Sequence, residues 1–372
     1  MTECTSSPRA SAQVQAQAQA FPLDRWYVAG LAWELEDRPL ARTLLDRPVV
    51  MFRLPDGSVA ALEDRCCHRE LPLSCGTIEP RGLRCGYHGL LFDSGGQCLE
   101  IPGQQRIPAK ACVSSFELRE SDQILWIWMG AHPDSRPTEP PPAYPVHGDP
   151  RYRFGGDVVH YDAPYQLIHD NLLDLSHLGY VHLKTIGGNA GIHMNAELQV
   201  TQEGDTVKVV RWMPDSEPPP TYAAAWPFAG RIDRWQEVEF HPSHVCIWTG
   251  AMDAGSGRLD DAQRHGFHMR GFHGVTPETA DSAHYFWTIA TNPHPQRPDP
   301  TQLVIEQTAA TFEEDRLVIE AQYRNQQRFG ARPVIDIHVD VGPNRARRVI
   351  RRLCEAGIQA GAQAGTPSMA RA

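Results

Sequence analysis

Two short metal-ligand hooks constrain this chain more than any other feature. Cys66-x-His68 and Cys85-x2-His88 lie inside the stretch CCHRELPLSCGTIEPRGLRCGYH, which starts at Cys66 and ends at His88. Two thiolates and two imidazoles can hold a single tetrahedral zinc. They can also hold a [2Fe–2S] cluster with both sulfurs on one iron and both imidazoles on the other. A zinc site expects hooks that pair Cys with Cys and His with His. Here each hook supplies one sulfur and one nitrogen, which suits the two-iron cluster. Gly76, Gly86 and Gly89 add tight turns at which backbone amides can approach sulfur. Imidazole in place of thiolate raises the reduction potential, so such a centre accepts electrons from an ordinary ferredoxin or flavin donor.

At 372 residues the chain is long enough for two domains with separate cores. A net charge of −10 with no basic stripe argues against nucleic acid and anionic membrane as partners. No apolar run reaches the length of a membrane span, and no charged-then-apolar signal segment opens the chain. The cysteines number nine, an odd count. Cys4, Cys75, Cys98, Cys112, Cys246 and Cys354 are scattered without the spacing of a disulfide framework. They read as reduced thiols in a cytoplasmic protein.

Residues 1–20 are small and polar and read as a disordered tail. From residue 21 to 135, short β-forming runs alternate with turns such as Pro55-Asp56-Gly57 and Ser94-Gly95-Gly96. These predict an all-β domain that carries the hooks at one end. HPDSRPTEPPPAYP is a proline-rich linker, which puts a domain boundary near residues 131–145. A second domain over 146–355 opens with a strand and the helical stretch YQLIHDNLLDLSHLGYVH. Six strand-like runs and two long helices follow. The expected class is α+β, with an antiparallel sheet wrapping helices. Residues 356–372 read as a frayed tail.

The helical stretch contains Asn171-x2-Asp174-x2-His177-x4-His182. Two histidines and a carboxylate on one face of an iron, with other positions open, make the ligand set of oxygen-activating non-haem Fe(II) enzymes. The spacing is awkward, because residues i and i+5 of a regular helix point about 140° apart. A widened turn, or a break at Gly179, would let His177 and His182 meet on one metal. Asp174, three residues before His177, would share a helical face with it.

The hooks with their flanks, DRCCHRELPLS and LRCGYHGLLFDSGGQCLEIPG, resemble the Rieske motif. One departure is Cys67, where that family usually carries proline. Together with N-x2-D-x2-H-x4-H downstream, the chain from about Phe21 to Leu353 resembles the oxygenase component of Rieske non-haem iron oxygenases. The resemblance implies that Cys66, His68, Cys85 and His88 hold the [2Fe–2S] cluster and that His177 and His182 ligate Fe(II). It implies a carboxylate on the late helix as third iron ligand, where EEDRLVIEAQ selects Asp315. Glu313, Glu314 and Glu320 are rivals that the sequence alone leaves open. It gives Asp174 the role of a bridge from His177 to His88 of the next subunit in a head-to-tail homotrimer, and it places Asn171 near the iron.

FHGVTPETADSAHYFW and the EDRLVIEAQ helix are similar to the branch that acts on methoxylated aromatics, which makes His273 a candidate substrate contact. The reading that follows is a monooxygenase that demethylates or hydroxylates a small aromatic substrate with O2. O-demethylation leads, with electrons from a ferredoxin or flavin reductase. A ring cis-dihydroxylating dioxygenase would share both metal sites. An electron-transfer protein would leave about 200 residues after the linker without a role.

Overall fold

Runs of β-branched and aromatic residues cut by glycine and proline become short antiparallel strands in the computed structural model, which describes residues 21–132, 134–330 and 332–364. The chain forms two compact units. The first runs to Ala143 and takes in Thr276–Ala280 and the last helix from Ile350. The second comprises Tyr144–Val275 and Asp281–Val349. The chain therefore passes between the units inside the proline-rich linker, and two later segments return to the first unit. The tail of residues 1–20 lies outside the described residues.

The first unit is all-β apart from that returning helix. Its strands are β1 (Arg25–Leu31), β2 (Leu40–Leu44), β3 (Arg47–Arg53), β4 (Val59–Glu63), β5 (Thr77–Glu79), β6 (Gly82–Arg84), β7 (Leu91–Phe92), β8 (Cys98–Glu100), β9 (Ser115–Phe116), β10 (Leu118–Ser121) and β11 (Ile124–Met129). They form three sheets, β1-β11-β10, β2-β3-β4-β9 and β5-β6-β7-β8. One hook follows β4 and the other lies between β6 and β7. Val50, Phe52, Leu62, Leu73, Leu83 and Phe92 make the core beneath them, and Cys66 and Cys85 are part of it. Each such apolar side chain contributes about 1.5–3 kcal/mol by burial, so a rigid floor supports the hook loops.

The second unit is built on a seven-stranded sheet in the order β12-β18-β17-β16-β15-β14-β13. Its strands are β12 (Arg153–Tyr161), β13 (Glu197–Glu203), β14 (Thr206–Ser216), β15 (Ile232–His241), β16 (His244–Asp253), β17 (Phe267–Pro277) and β18 (Ala283–Thr291). The helices are α1 (Tyr165–Leu173), α2 (Leu178–Val181), α3 (Ala190–Met194), α4 (Pro220–Ala225), α5 (Thr301–Phe329) and the start of α6 (Val341–Ala364), whose part from Ile350 belongs to the first unit. α5 packs on β12 and β18, and α1 lies between α5 and β15. This is the expected α+β arrangement of an antiparallel sheet around helices.

Three expectations change. The break in the helical stretch falls at Asp174, where φ −117° and ψ 91° end α1, and not at Gly179. Gly179 serves close packing instead, since a Cβ there would lie 2.3 Å from Ala190 Cα. Asp174 and His177 consequently do not share a face of one helix. The frayed tail expected from residue 356 begins as helix, because α6 continues to Ala364. Residues 365–372 lie outside the described residues.

Candidate metal centres and substrate cavity

The two hooks fold alike. Cys66 N–H donates to Leu71 O at 2.9 Å and Glu70 N–H to Cys66 O at 3.0 Å. Cys85 N–H donates to Leu90 O at 2.8 Å and Gly89 N–H to Cys85 O at 3.1 Å. Their loops can touch only because glycine intervenes: a Cβ on Gly76 would lie 2.1 Å from Arg84 O, and one on Gly86 would lie 2.6 Å from Cys75 O. Both thiols are buried, whereas His68 and His88 are exposed with ring centroids 4.5 Å apart. Burial, with Cys85 beside it, pushes the Cys66 thiol up to about 11, so a cation is needed to make it a thiolate near neutral pH. Desolvation, then His68 and Arg69, hold His88 below its ordinary value, in the neutral form that ligates metal. A single tetrahedral ion needs its ligand atoms mutually close. Among the described residues these four place no three ligand atoms within 4.8 Å of one another. Sulfur on the inner side and nitrogen on the outer side fit a two-iron cluster with a solvent-facing imidazole edge.

In the second unit His177, His182 and Asp315 do converge, with ligand atoms all within 4.8 Å of one another. His182 Nε2 lies 3.1 Å and His177 Nε2 3.4 Å from Asp315 Oδ1. Ligands about 2.1 Å from a common metal lie about 3 Å apart when adjacent, so the spacing fits one ion held on one face. The awkward five-residue interval is solved by the stop at Asp174, a short 3-10 turn over Leu175–His177, and then α2. Both rings are oriented through Nδ1. His177 Nδ1 donates to the Asp174 carbonyl at 2.6 Å, and His182 Nδ1 to Glu314 Oε2 at 2.7 Å. A carbonyl can only accept, so the His177 Nε2 lone pair is left for metal.

Helical phase separates the acidic rivals. Val304, Thr308, Thr311, Phe312, Asp315 and Ile319 form the buried stripe of α5. Glu314 sits beside that stripe and reaches His182. Glu313 pairs with Arg316 on the exposed side. Glu320, though buried, also pairs with Arg316 and accepts from Asp162 N. Burial acts to raise the Asp315 carboxyl, but His177 and His182 outweigh it and hold Asp315 well below the usual range. Burial acts against protonating His182, yet Asp315 and Glu314 together raise it. A dication would satisfy the same negative potential.

Asn171 Nδ2 donates to Asp315 Oδ1 at 2.9 Å and lies 3.5 Å from His177 Nε2, so it does stand at the metal group. The Asp174 carboxylate caps the following turn, with Oδ1 accepting from Ser176 N at 2.9 Å, and it is the Asp174 carbonyl that meets His177. His273 is buried at 2 % exposure, pushed down to about 3 by burial, and hydrogen-bonded through Nδ1 to Tyr285 Oη at 2.7 Å.

The triad opens on a cavity of about 610 Å³ of empty space, part of it continuous with solvent. Leu172, Leu178, Ile247, Met269, Ile289 and Phe312 make it mainly apolar, and His273 lies in its wall with Nε2 unpartnered. Sequence reasoning missed Glu314 as the partner of His182, Tyr285 as the partner of His273, and Arg234 and Gln236 in the cavity wall.

A cluster-binding β-unit and a 2-His-1-carboxylate helical site define an oxygen-activating iron enzyme, and comparison with known proteins agrees. Residues 25–117 match the Rieske [2Fe-2S] domain, and residues 161–356 match the vanillate O-demethylase oxygenase C-terminal domain. The toluene-4-sulfonate monooxygenase system iron-sulfur subunit TsaM1 of Comamonas testosteroni is 36% identical, over 89% of this chain and 96% of its own. A vanillate O-demethylase oxygenase subunit of Pseudomonas sp. (strain HR199 / DSM 7063) is 35% identical, over 91% of this chain and 97% of its own. A crystal structure of dicamba monooxygenase bound to dicamba superposes with TM-score 0.81 at 34% identity, covering 91% of this chain and 98% of that one. The chain belongs to the Rieske non-haem iron oxygenases, as the oxygenase component of a monooxygenase that carries a [2Fe–2S] cluster and a mononuclear iron.

Proposed function

We propose that this oxygenase acts on the methyl or methoxy carbon of a small aromatic molecule, with O-demethylation as its leading reaction. The observation that carries the reading is the largely apolar cavity ending on His177, His182 and Asp315. Such walls hold an aromatic ring by desolvation and leave its substituent facing the metal group. What bound iron supplies is activation of O2 with electrons drawn through the cluster. The protein's own residues do the positioning. Cys66, His68, Cys85 and His88 hold the cluster. Asn171 fixes the Asp315 carboxylate, while Glu314 and the Asp174 carbonyl fix the two imidazoles. His273, kept neutral by burial and turned by Tyr285, offers Nε2 to the substrate.

Electrons come from a ferredoxin or a flavin reductase in the cytoplasm, and the working assembly is a homotrimer. In it Asp174 links His177, held by its carbonyl, to the partner subunit's His88, reached by its carboxylate. Cys66, Cys67, Cys75, Cys85, Cys98, Cys246 and Cys354 are free thiols, which agrees with a reducing compartment. No helix among the described residues is long and apolar enough to cross a membrane. The test is a panel of methoxylated and methylated aromatics assayed with a generic reductase under 18O2. Formaldehyde, or a hydroxymethyl product carrying one labelled atom, is the expected result. Two labelled atoms on adjacent ring carbons would make the enzyme a dihydroxylase, and absence of any oxygenated product would leave only electron transfer.

A further inference from the structure

We infer that Arg234 and Gln236 form an anion subsite in the cavity wall, and that the aromatic substrate carries a sulfonate or carboxylate. This rests on the reading of the cavity as the substrate site.

Arg234 and Gln236 are two residues apart on β15, so both project from one face of the sheet, and both line the cavity. They are 3 % and 0 % exposed. Gln236 sits in a cross-strand row with Arg211 on β14 and Thr249 on β16, and Thr249 pairs onward with Met269 of β17. That row joins the polar patch to the apolar wall. Arg234 donates to Ile186 O at 2.9 Å and Gly187 O at 3.4 Å and lies over the Tyr222 ring at 4.8 Å. All of these partners are neutral. Arg211, itself 3 % exposed, donates to His193 O and to Gln236 Oε1. Asp174 attracts Arg211 but makes no ion pair with it, and among the described residues neither arginine is paired with a carboxylate.

Two neighbouring guanidiniums are thus buried, with Arg234 in the cavity wall, and neither is in an ion pair among the described residues. Burying a charge is costly unless an opposite charge and hydrogen bonds accompany it. Donors are waiting as well: Arg234 Nε and Gln236 Nε2 are buried with no acceptor. The planar fork of a guanidinium suits a two-oxygen anion, and the adjacent amide adds a further N–H. His273 supplies no alternative charge, since burial holds its ring neutral. An oxyanion seated on Arg234 and Gln236 anchors one end of the ring, and that anchor decides which carbon is presented to the metal group. Sulfonate and carboxylate share this chemistry and differ in shape.

The experiment measures equilibrium binding of matched pairs by calorimetry: toluene-4-sulfonate against toluene-4-sulfonamide, and 4-methoxybenzoate against 4-methoxybenzamide. In the wild type each acid should bind at least about tenfold more tightly than its amide. The pair with the larger ratio identifies the preferred oxyanion. Arg234→Gln should collapse that ratio toward one, Arg234→Lys should restore part of it, and Gln236→Leu should reduce it. Equal binding of acid and amide by the wild type overturns the subsite while leaving the oxygenase reading intact. Equal losses for acid and amide in Arg234→Gln also overturn it, because Arg234 would then only tie down the Ile186–Gly187 loop. If neither acids nor amides bind or yield oxygenated product, the aromatic reading of the cavity fails and the subsite fails with it.

Discussion

Glu314 Oε2 lies 2.7 Å from His182 Nδ1, on the side of the imidazole away from Asp315. Neighbours in sequence therefore take different tasks: Asp315 faces the metal position, and Glu314 orients the ligand behind it. Asp315→Ala should release the mononuclear iron, because two histidines alone hold Fe(II) poorly. Glu314→Gln should retain the site but weaken iron binding by about 10–100-fold. Iron analysis beside the cluster absorption separates the two variants, since neither should disturb the cluster. Loss of iron in Glu314→Ala with full retention in Asp315→Ala would reverse the assignment.

The buried Cys66 and Cys85 thiols and the exposed His68 and His88 rings predict a coloured protein with about three irons per chain, two in the cluster and one mononuclear. Cys85→Ser should abolish the visible charge-transfer absorption and leave the mononuclear iron in place. Stoichiometric zinc in a colourless wild-type protein would contradict the cluster.

Both metal groups are legible in the sequence because ligand residues at short spacing survive any uncertainty about fold. The carboxylate that joins His177 and His182 is less so. The inward stripe of α5 contains Thr308, Thr311, Asp315 and Glu320, while Leu317 and Val318 are 54 % and 47 % exposed. Polarity thus misreports the helical phase, and only tertiary packing separates Asp315 from Glu314. The stop at Asp174 carries no glycine or proline signal, since its capping bond to Ser176 N becomes visible only in the folded chain. The anion subsite does leave a mark. Ile232, Arg234, Gln236, Val238 and Phe240 alternate along β15, so a cation and an amide interrupt an otherwise apolar face.

His169 is a buried ring with neither nitrogen partnered, packed edge-on to Tyr165 and Phe240 and pushed down to about 3 by burial. The unfolded chain takes up this proton below its ordinary value of about 6.5, whereas the folded chain does not. Stability therefore falls as pH drops below about 6.5 and continues to fall toward the folded value. Between pH 7 and pH 5 this residue alone should cost about 2 kcal/mol. His169→Phe keeps an aromatic ring in place and should reduce the acid sensitivity of urea unfolding by about that amount. An unchanged difference between the two pH values would show that His169 does not titrate in the unfolding transition.

Asp174 combines two roles that one substitution can separate. Its carbonyl orients His177 and its Oδ1 caps the following turn, while Oδ2 accepts no hydrogen bond among the described residues. Asparagine retains the carbonyl and the capping oxygen but lacks the negative charge and second carboxylate oxygen that the proposed bridge to the partner subunit's His88 requires. Asp174→Asn should therefore keep both metal centres and the oligomer, yet lose nearly all NADH-driven turnover. Hydrogen peroxide, which supplies oxygen and electrons together, should restore some product in the variant. Single-turnover kinetics decide the matter, with the reduced variant mixed with O2 and a substrate found in the panel. Slow reoxidation of the cluster beside a normally loaded mononuclear site is the expected outcome. Reoxidation at the wild-type rate would reduce Asp174 to the cap it forms within its own chain.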